Sequence, residues 1–172
     1  HQAATAVMND QLYRESAERS RLEREIDVAR RIQSSLMPNT NPSIPLLDVI
    51  SYWQPARQVS GDFYDFIPLQ GGRWGIVIAD VADKGFGAAL FMALCRTIIR
   101  TVAYSRTDPV DTLTRANQII CNDSYSDLFV TVFYAIWDPA DQTLTYGNGG
   151  HNPPLLVGGN GQVMPLKGSG VA

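Results

Sequence analysis

The stretch SGDFYDFIPLQGGRWGIVIADVADKG, Ser60 to Gly85, holds two apolar runs separated by Gln70-Gly71-Gly72. Phe63–Leu69 is rich in aromatic and aliphatic residues, and Trp74–Asp80 is a Val/Ile run typical of a buried strand. Two such runs around a Gly-Gly loop make an antiparallel hairpin. With Gly71 at its centre, residue i faces residue 142 − i, so Leu69 faces Arg73, Phe66 faces Ile76, and Asp62 faces Asp80. A slip of one residue would put the side chains of the two strands on opposite faces.

Directly opposed residues have Cβ atoms about 4.5–5.5 Å apart, and two carboxylates at that separation repel. Asp62 and Asp80 both adjoin strongly apolar strands, so their charge calls for compensation. A divalent cation supplies it, because carboxylate oxygens suit Mg²⁺ or Mn²⁺. Two cations sharing these carboxylates would clamp a phosphate and lower the pKa of a trapped water. The plainer reading is that each aspartate ends a strand and caps a turn. Asp65 lies three residues beyond Asp62, so on a regular strand it points to the other face and reads as structural. Asp83 precedes a helix starting near Gly85 and reads as its N-cap. The free N–H groups of that helix would favour an anion.

Outward from the hairpin, Leu46–Gln54 reads as a further strand, and Gly85–Tyr104 and Pro109–Asp123 as helices. Phe129–Trp137 and Leu144–Asn148 form a second hairpin, and Leu155–Val157 and Val163–Leu166 are short strands. Strands, then a helix pair, then strands do not make a doubly wound parallel sheet. They indicate an α+β layered domain with antiparallel sheets.

Residues 1–37 read as one helix with no Pro or Gly, braced by Glu15 with Arg19, Glu18 with Arg21 and Asp27 with Arg31. Leu22, Ile26, Ala29, Ile32 and Leu36 form a narrow apolar stripe. Either the helix lies on its own domain, or the stripe pairs with a second copy as a coiled coil. The Pro-rich stretch Met37–Pro45 is a boundary or stiff connector.

The 172 residues are 45% apolar and 18% charged, with a net charge of −3, which excludes a disordered chain and offers no basic tract for nucleic acid. The two cysteines, Cys95 and Cys121, make no metal motif and read as buried free thiols, which favours a reducing, cytoplasmic compartment. No apolar run approaches the roughly 18 residues of a membrane span, and the polar N-terminus is not that of a signal peptide.

The segment NGGHNPP, Asn148–Pro154, is the other punctuated motif. His151 there is either a brace for a Gly-rich turn or a catalytic imidazole, with the brace favoured because no partner acid or nucleophile is identifiable. No serine or cysteine sits in a G-x-S-x-G elbow, so covalent hydrolase chemistry has no support.

Taken in order, ARRIQSSLMP, PARQVSGDFYDFIPL, DVADKGFGAALFMALCRTIIR, LFVTVFYAIWDP and YGNGGHNPPLLV resemble the PPM metal-dependent protein phosphatases, in the bacterial branch of stage II sporulation protein E and RsbU. The resemblance runs from about Ala29 to the last residue. It implies a four-layer α-β-β-α sandwich that hydrolyses phosphoserine or phosphothreonine on a protein, with two Mn²⁺ or Mg²⁺ ions holding the attacking water. Asp62 matches the aspartate of the family's Gly-Gly-Asp segment, with Ser60 at its first glycine. Asp80 matches that of its Asp-Val-x-x-Lys-Gly segment. By the same resemblance Asp80 bridges both metals and the Val81 carbonyl completes one site. The implied substrate is a small STAS-domain protein, an anti-sigma factor antagonist, which makes the chain part of sigma factor regulation.

The family's further metal-binding aspartates have no counterpart before the closing GSGVA, so the chain reads as a fragment, incomplete at its C-terminus, with weak metal binding and little turnover. QAATAVMNDQLYRES resembles the last helix of a GAF sensor domain. The expected division is therefore 1–20 for the end of a sensor, 21–43 for a helical signalling linker and 44–172 for the phosphatase portion. A homodimer through Leu22, Ile26, Ala29 and Leu36 follows as the expected assembly. Two other functions fit less well. One is a non-catalytic module that binds a phosphoprotein or relays a dimer signal. The other is a nucleotide cyclase, disfavoured because Phe63 stands where that signature needs a second carboxylate. The residues leave open whether Arg57 or Lys84 touches a substrate phosphate.

Overall fold

A computed structural model describes residues 2–55, 58–123 and 128–171. Helix α1, Gln2–Leu36, is a single element of 35 residues, because nothing in it breaks a helix until Pro38. Its side-chain ion pairs differ from those expected. Arg19 pairs with Glu23 and Arg21 with Glu25, both at the i, i+4 spacing, while Arg31 donates to the Asp27 carbonyl instead of its carboxylate. Leu22 and Ile32 stay exposed, and among the described residues α1 meets the rest of the domain near its C-terminal tip, where Leu36 and Met37 join the core.

The strand expected at Leu46–Gln54 does not form. Only an isolated bridge between Ile44 and Leu47 closes a turn there, with Leu46 at φ 59°. Ile50 and Tyr52 are exposed because no neighbouring strand accepts this segment. Side chains tie it down instead: Trp137 Nε1 donates to the Pro45 carbonyl at 3.0 Å, and Ser51 Oγ donates to the Tyr64 hydroxyl at 3.1 Å.

Strands β1 (Phe63–Pro68) and β2 (Trp74–Val81) form the expected hairpin in the expected register, with Phe66 opposite Ile76 and Phe63 opposite Ala79. A short 3-10 turn, Gln70–Gly72, joins them, and Gly71 and Gly72 adopt φ 74° and 76°, which a side chain would resist. Helices α2 (Phe86–Ala103) and α3 (Pro109–Asp123) follow, then β3 (Val130–Asp138) and β4 (Thr143–Gly149). Strands β5 (Leu155–Val157) and β6 (Val163–Pro165) make a separate exposed ribbon. A strand the sequence did not signal, β7 (Ser169–Val171), pairs with β4 and completes an antiparallel sheet of order β1-β2-β3-β4-β7. Three residues containing a glycine carry too little alternation to announce a strand.

Alternation along the strands sorts the two faces. Phe63, Ile67, Val77, Ala79, Val81, Val132, Tyr134 and Ile136 face α2 and α3 and build the main core. Phe133, Ala135, Tyr146 and Leu166 form a smaller cluster apart from it. Among the described residues, then, one helical layer covers one sheet of an α+β domain. Helix α2 is long and apolar enough to cross a membrane, contrary to the expectation from the sequence. Seven of its residues, from Ala88 to Ala103, are instead buried in the domain. Cys95 is one of these core residues, and burial pushes its thiol up to about 12. Cys121 is exposed, against expectation, because it follows Ile120 by one residue and so turns about 100° away from the core face of α3.

Candidate active site

The hairpin carries Asp62 and Asp80 to the same end of the sheet. There they line a cavity of about 220 Å³ with Val59, Ser60, Gly61, Asp83 and Lys84. Asp62 stands one residue before β1, and the register of that pair, extended by one step, puts it opposite Asp80. Burial raises the Asp62 carboxyl above its usual range, and the neighbouring Asp80 carboxyl adds to this by hydrogen bonding and by charge. A hydrogen bond from Ser60 and the positive charge of Lys84 oppose the rise.

The backbone around Asp62 is held from several sides. Its N–H donates to Ser60 Oγ at 3.1 Å, and Trp53 Nε1 donates to its carbonyl at 3.0 Å. Ser60 is in turn clasped by the tip of α1: Gln33 Nε2 donates to the Ser60 carbonyl at 2.7 Å, and the Ser60 N–H donates to Gln33 Oε1 at 2.9 Å. Gly61 is required where it stands, since a Cβ there would lie 3.0 Å from the Val81 carbonyl oxygen and 3.1 Å from the Val81 Cβ. The bare backbone thus lets the Asp62 segment close onto the end of β2.

Asp83 is not the cap of α2. Gly85 takes the N-cap position at φ 102°, with no side-chain cap, while Asp83 Oδ1 accepts the Lys84 N–H at 2.7 Å. Asp83 itself adopts φ 84°, so its carboxylate turns back to its own loop and the cavity. Asp65 lies on the helix-facing side, as its spacing requires. It is buried, receives Arg100 Nη1 at 2.8 Å, and pairs with Arg96 Nη2 at 3.1 Å. Arg57 lies outside the described residues.

His151 is a brace in its backbone. Asn148 Nδ2 donates to the His151 carbonyl at 2.9 Å, and the His151 N–H donates to Asn148 Oδ1 at 2.7 Å. Its ring nitrogen Nδ1 meets Thr131 Oγ1 at 3.0 Å, and that hydroxyl also reaches the Asp80 carbonyl at 3.3 Å. Burial lowers the His151 pKa, against the charge of Asp80 and the contact with Thr131.

Sequence reasoning did not find Thr131 or Gln33. Thr131 was hidden because only strand pairing sets it opposite Asp80. Gln33 had a signal: steps of four and three from Leu22 through Ile26 and Ala29 land on Gln33 before Leu36, so a polar residue occupies the apolar seam.

The donor set fits a hard divalent cation. Two carboxylates are apposed at one cavity, burial and the neighbouring Asp80 charge raise the pKa of Asp62, and a bound divalent cation would relieve that repulsion. Among the described residues, no group of three or more His, Cys, Asp or Glu side chains gathers in ligand geometry, so Asp62 and Asp80 would supply only part of a coordination shell.

Residues 70–172 match the family described as stage II sporulation protein E (SpoIIE), and the chain belongs to that family. It is 32% identical to protein IcfG of Synechocystis sp., over 86% of this chain and 28% of that protein. It is 31% identical to the phosphoserine phosphatase RsbU of Bacillus subtilis, over 75% of this chain and 38% of RsbU. The chain therefore spans roughly a third of the length of these relatives. Among solved structures, the SiaA-PP2C domain of Pseudomonas aeruginosa superposes with a TM-score of 0.72 at 24% identity, covering 88% of this chain and 62% of that one. The RsbU and RsbW domains of Rv1364c from Mycobacterium tuberculosis superpose at 0.57 with 26% identity, covering 68% of this chain and 36% of that one. The fold is that of the PP2C phosphatase domains.

Proposed function

We propose that this chain forms part of a metal-dependent phosphatase that removes phosphate from serine or threonine of a regulatory protein. The observation that carries this reading is the apposition of Asp62 and Asp80 over one cavity, in a chain whose relatives include a phosphoserine phosphatase. Asp62, Asp80 and the Val81 carbonyl would hold the metal, two Mn²⁺ or Mg²⁺ ions by the family pattern. Bound there, divalent ions would neutralise the carboxylates, polarise a phosphoryl oxygen and acidify water.

The chain's own residues set the geometry. Ser60, Trp53 and the Gln33 clasp fix the backbone of Asp62, Gly61 lets it approach β2, and Thr131 holds the Asp80 main chain. The proposed substrate is a phosphorylated STAS-domain antagonist of an anti-sigma factor, acted on in the cytoplasm, where the buried free thiol of Cys95 is at home. The proposed assembly is a homodimer through Leu22, Ile26 and Ala29 of α1, supported by the exposure of Leu22, while Leu36 of the expected stripe packs against the domain's own core. Residues 1–20 are proposed to end a sensor domain and 21–43 to relay its state to the domain from residue 44.

The test is Mn²⁺-dependent phosphate release from a serine-phosphorylated STAS protein by the whole natural polypeptide, beside an Asp80→Asn twin. Release by the parent and a loss of at least about 100-fold in the twin are the expected outcome. No release from a folded, metal-loaded protein with two different phosphoprotein substrates would favour the non-catalytic binding module instead.

A further inference from the structure

We propose that Lys84 binds the substrate's phosphoryl group, an inference that rests on the phosphatase reading above. Lys84 lines the cavity with Asp62 and Asp80, and among its described lining residues it is the cation. Its ammonium is close enough for its charge to act on Asp62, yet among the described residues it makes no ion pair within 4.0 Å. The arginines packed on the other side of the sheet differ, since Arg96 and Arg100 are both committed to Asp65.

The loop that presents Lys84 is fixed at a cost. Asp83 and Gly85, the residues on either side, both have positive φ, 84° and 102°. For Asp83 that conformation is strained, and the hydrogen bond from the Lys84 N–H to its carboxylate holds it. The result is a sharp turn between the end of β2 and the start of α2, with Lys84 at its apex.

Charge decides the role. Three aspartates, Asp62, Asp80 and Asp83, line the cavity of about 220 Å³ and repel a phosphate, and cations held by Asp62 and Asp80 would offset that repulsion. Once those carboxylates are occupied, Lys84 is left facing the cavity as a mobile point charge, a form in which lysine binds phosphate. The cavity has room for a phosphoryl group with several waters of about 30 Å³ each. The N-terminus of α2, uncapped by any side chain, begins two residues on and adds to the positive field.

The experiment is titration of the Mn²⁺-loaded whole polypeptide with inorganic phosphate, comparing the parent with Lys84→Met and Lys84→Arg, with Mn²⁺ affinity measured alongside. The expected result is phosphate binding weakened by about 10- to 100-fold in Lys84→Met, most of it restored in Lys84→Arg, with Mn²⁺ affinity not reduced. Three results would overturn the assignment: phosphate affinity within about twofold of the parent, a matching drop in Mn²⁺ affinity, or no phosphate binding by the parent. Failure of the phosphatase reading looks different, because phosphate would then bind in a Lys84-dependent way while no phosphoserine was hydrolysed.

Discussion

The first hairpin carries aspartates on both of its faces, and the fold treats them in opposite ways. Asp65, on the helix face, is buried and shared by two guanidiniums from α2. Asp62 and Asp80, at the cavity, are set against each other, with the exposed Lys84 as the one cation among the described residues that line it. The same side chain is thus a rivet on one face and an unmet charge on the other. The domain's arginines go to the carboxylate that is buried, and in the proposed reading the remaining carboxylates would take a cation from solution.

Breaking the rivet gives the largest effect on stability. Asp65→Ala leaves Arg96 and Arg100 without their counter-charge between β1 and α2, and Arg96 already has a buried Nε with no partner. A loss of about 3–5 kcal/mol in urea unfolding is expected, the scale for removing one partner of a buried pair. A loss below about 1 kcal/mol would mean that water reaches the arginines.

The clasp between the two regions comes next. Gln33→Leu keeps the volume of the side chain and strands the Ser60 N–H and carbonyl, both buried with Gln33. About 1–3 kcal/mol of stability is expected to go. Because Ser60 also holds the Asp62 N–H, apparent Mn²⁺ affinity is expected to fall in the same variant, as isothermal titration would show.

The smallest effect on stability belongs to the apposed pair. Asp80→Asn removes a like charge and is expected to change metal-free stability by less than about 1 kcal/mol, toward greater stability at neutral pH. The sign follows from the raised Asp62 pKa: the folded state holds its proton to higher pH than the unfolded chain, so stability declines as pH rises from the ordinary carboxylate value through the folded one. The variant flattens that decline in a pH series of unfolding curves. If Asp80 holds the metal as proposed, Mn²⁺ is expected to stabilise the parent and not the variant, which sharpens the contrast with Asp65.

The hairpin was legible because a Gly-Gly loop fixes its centre and burial of one face forbids a slip, so the apposition of Asp62 and Asp80 followed from the register alone. Helix α3 was read to its bounds because Pro109 opens it. Leu46–Gln54 misled because its β-forming residues find no strand to pair with. Asp83 misled because Asp before a glycine-rich helix start resembles a cap, whereas the turn needs positive φ at Asp83 and again at Gly85, on either side of Lys84.

The sequence by itself determined the antiparallel hairpin, the helix pair and which aspartate faces which side, because these depend on period, punctuation and neighbours in the chain. Tertiary structure alone decided what each charge meets. Arg96 and Arg100 reach Asp65, Gln33 reaches Ser60 across 27 positions, and Thr131 reaches the Asp80 carbonyl across 51. Contacts of that kind depend on how layers pack and strands pair, and local periodicity carries no record of them.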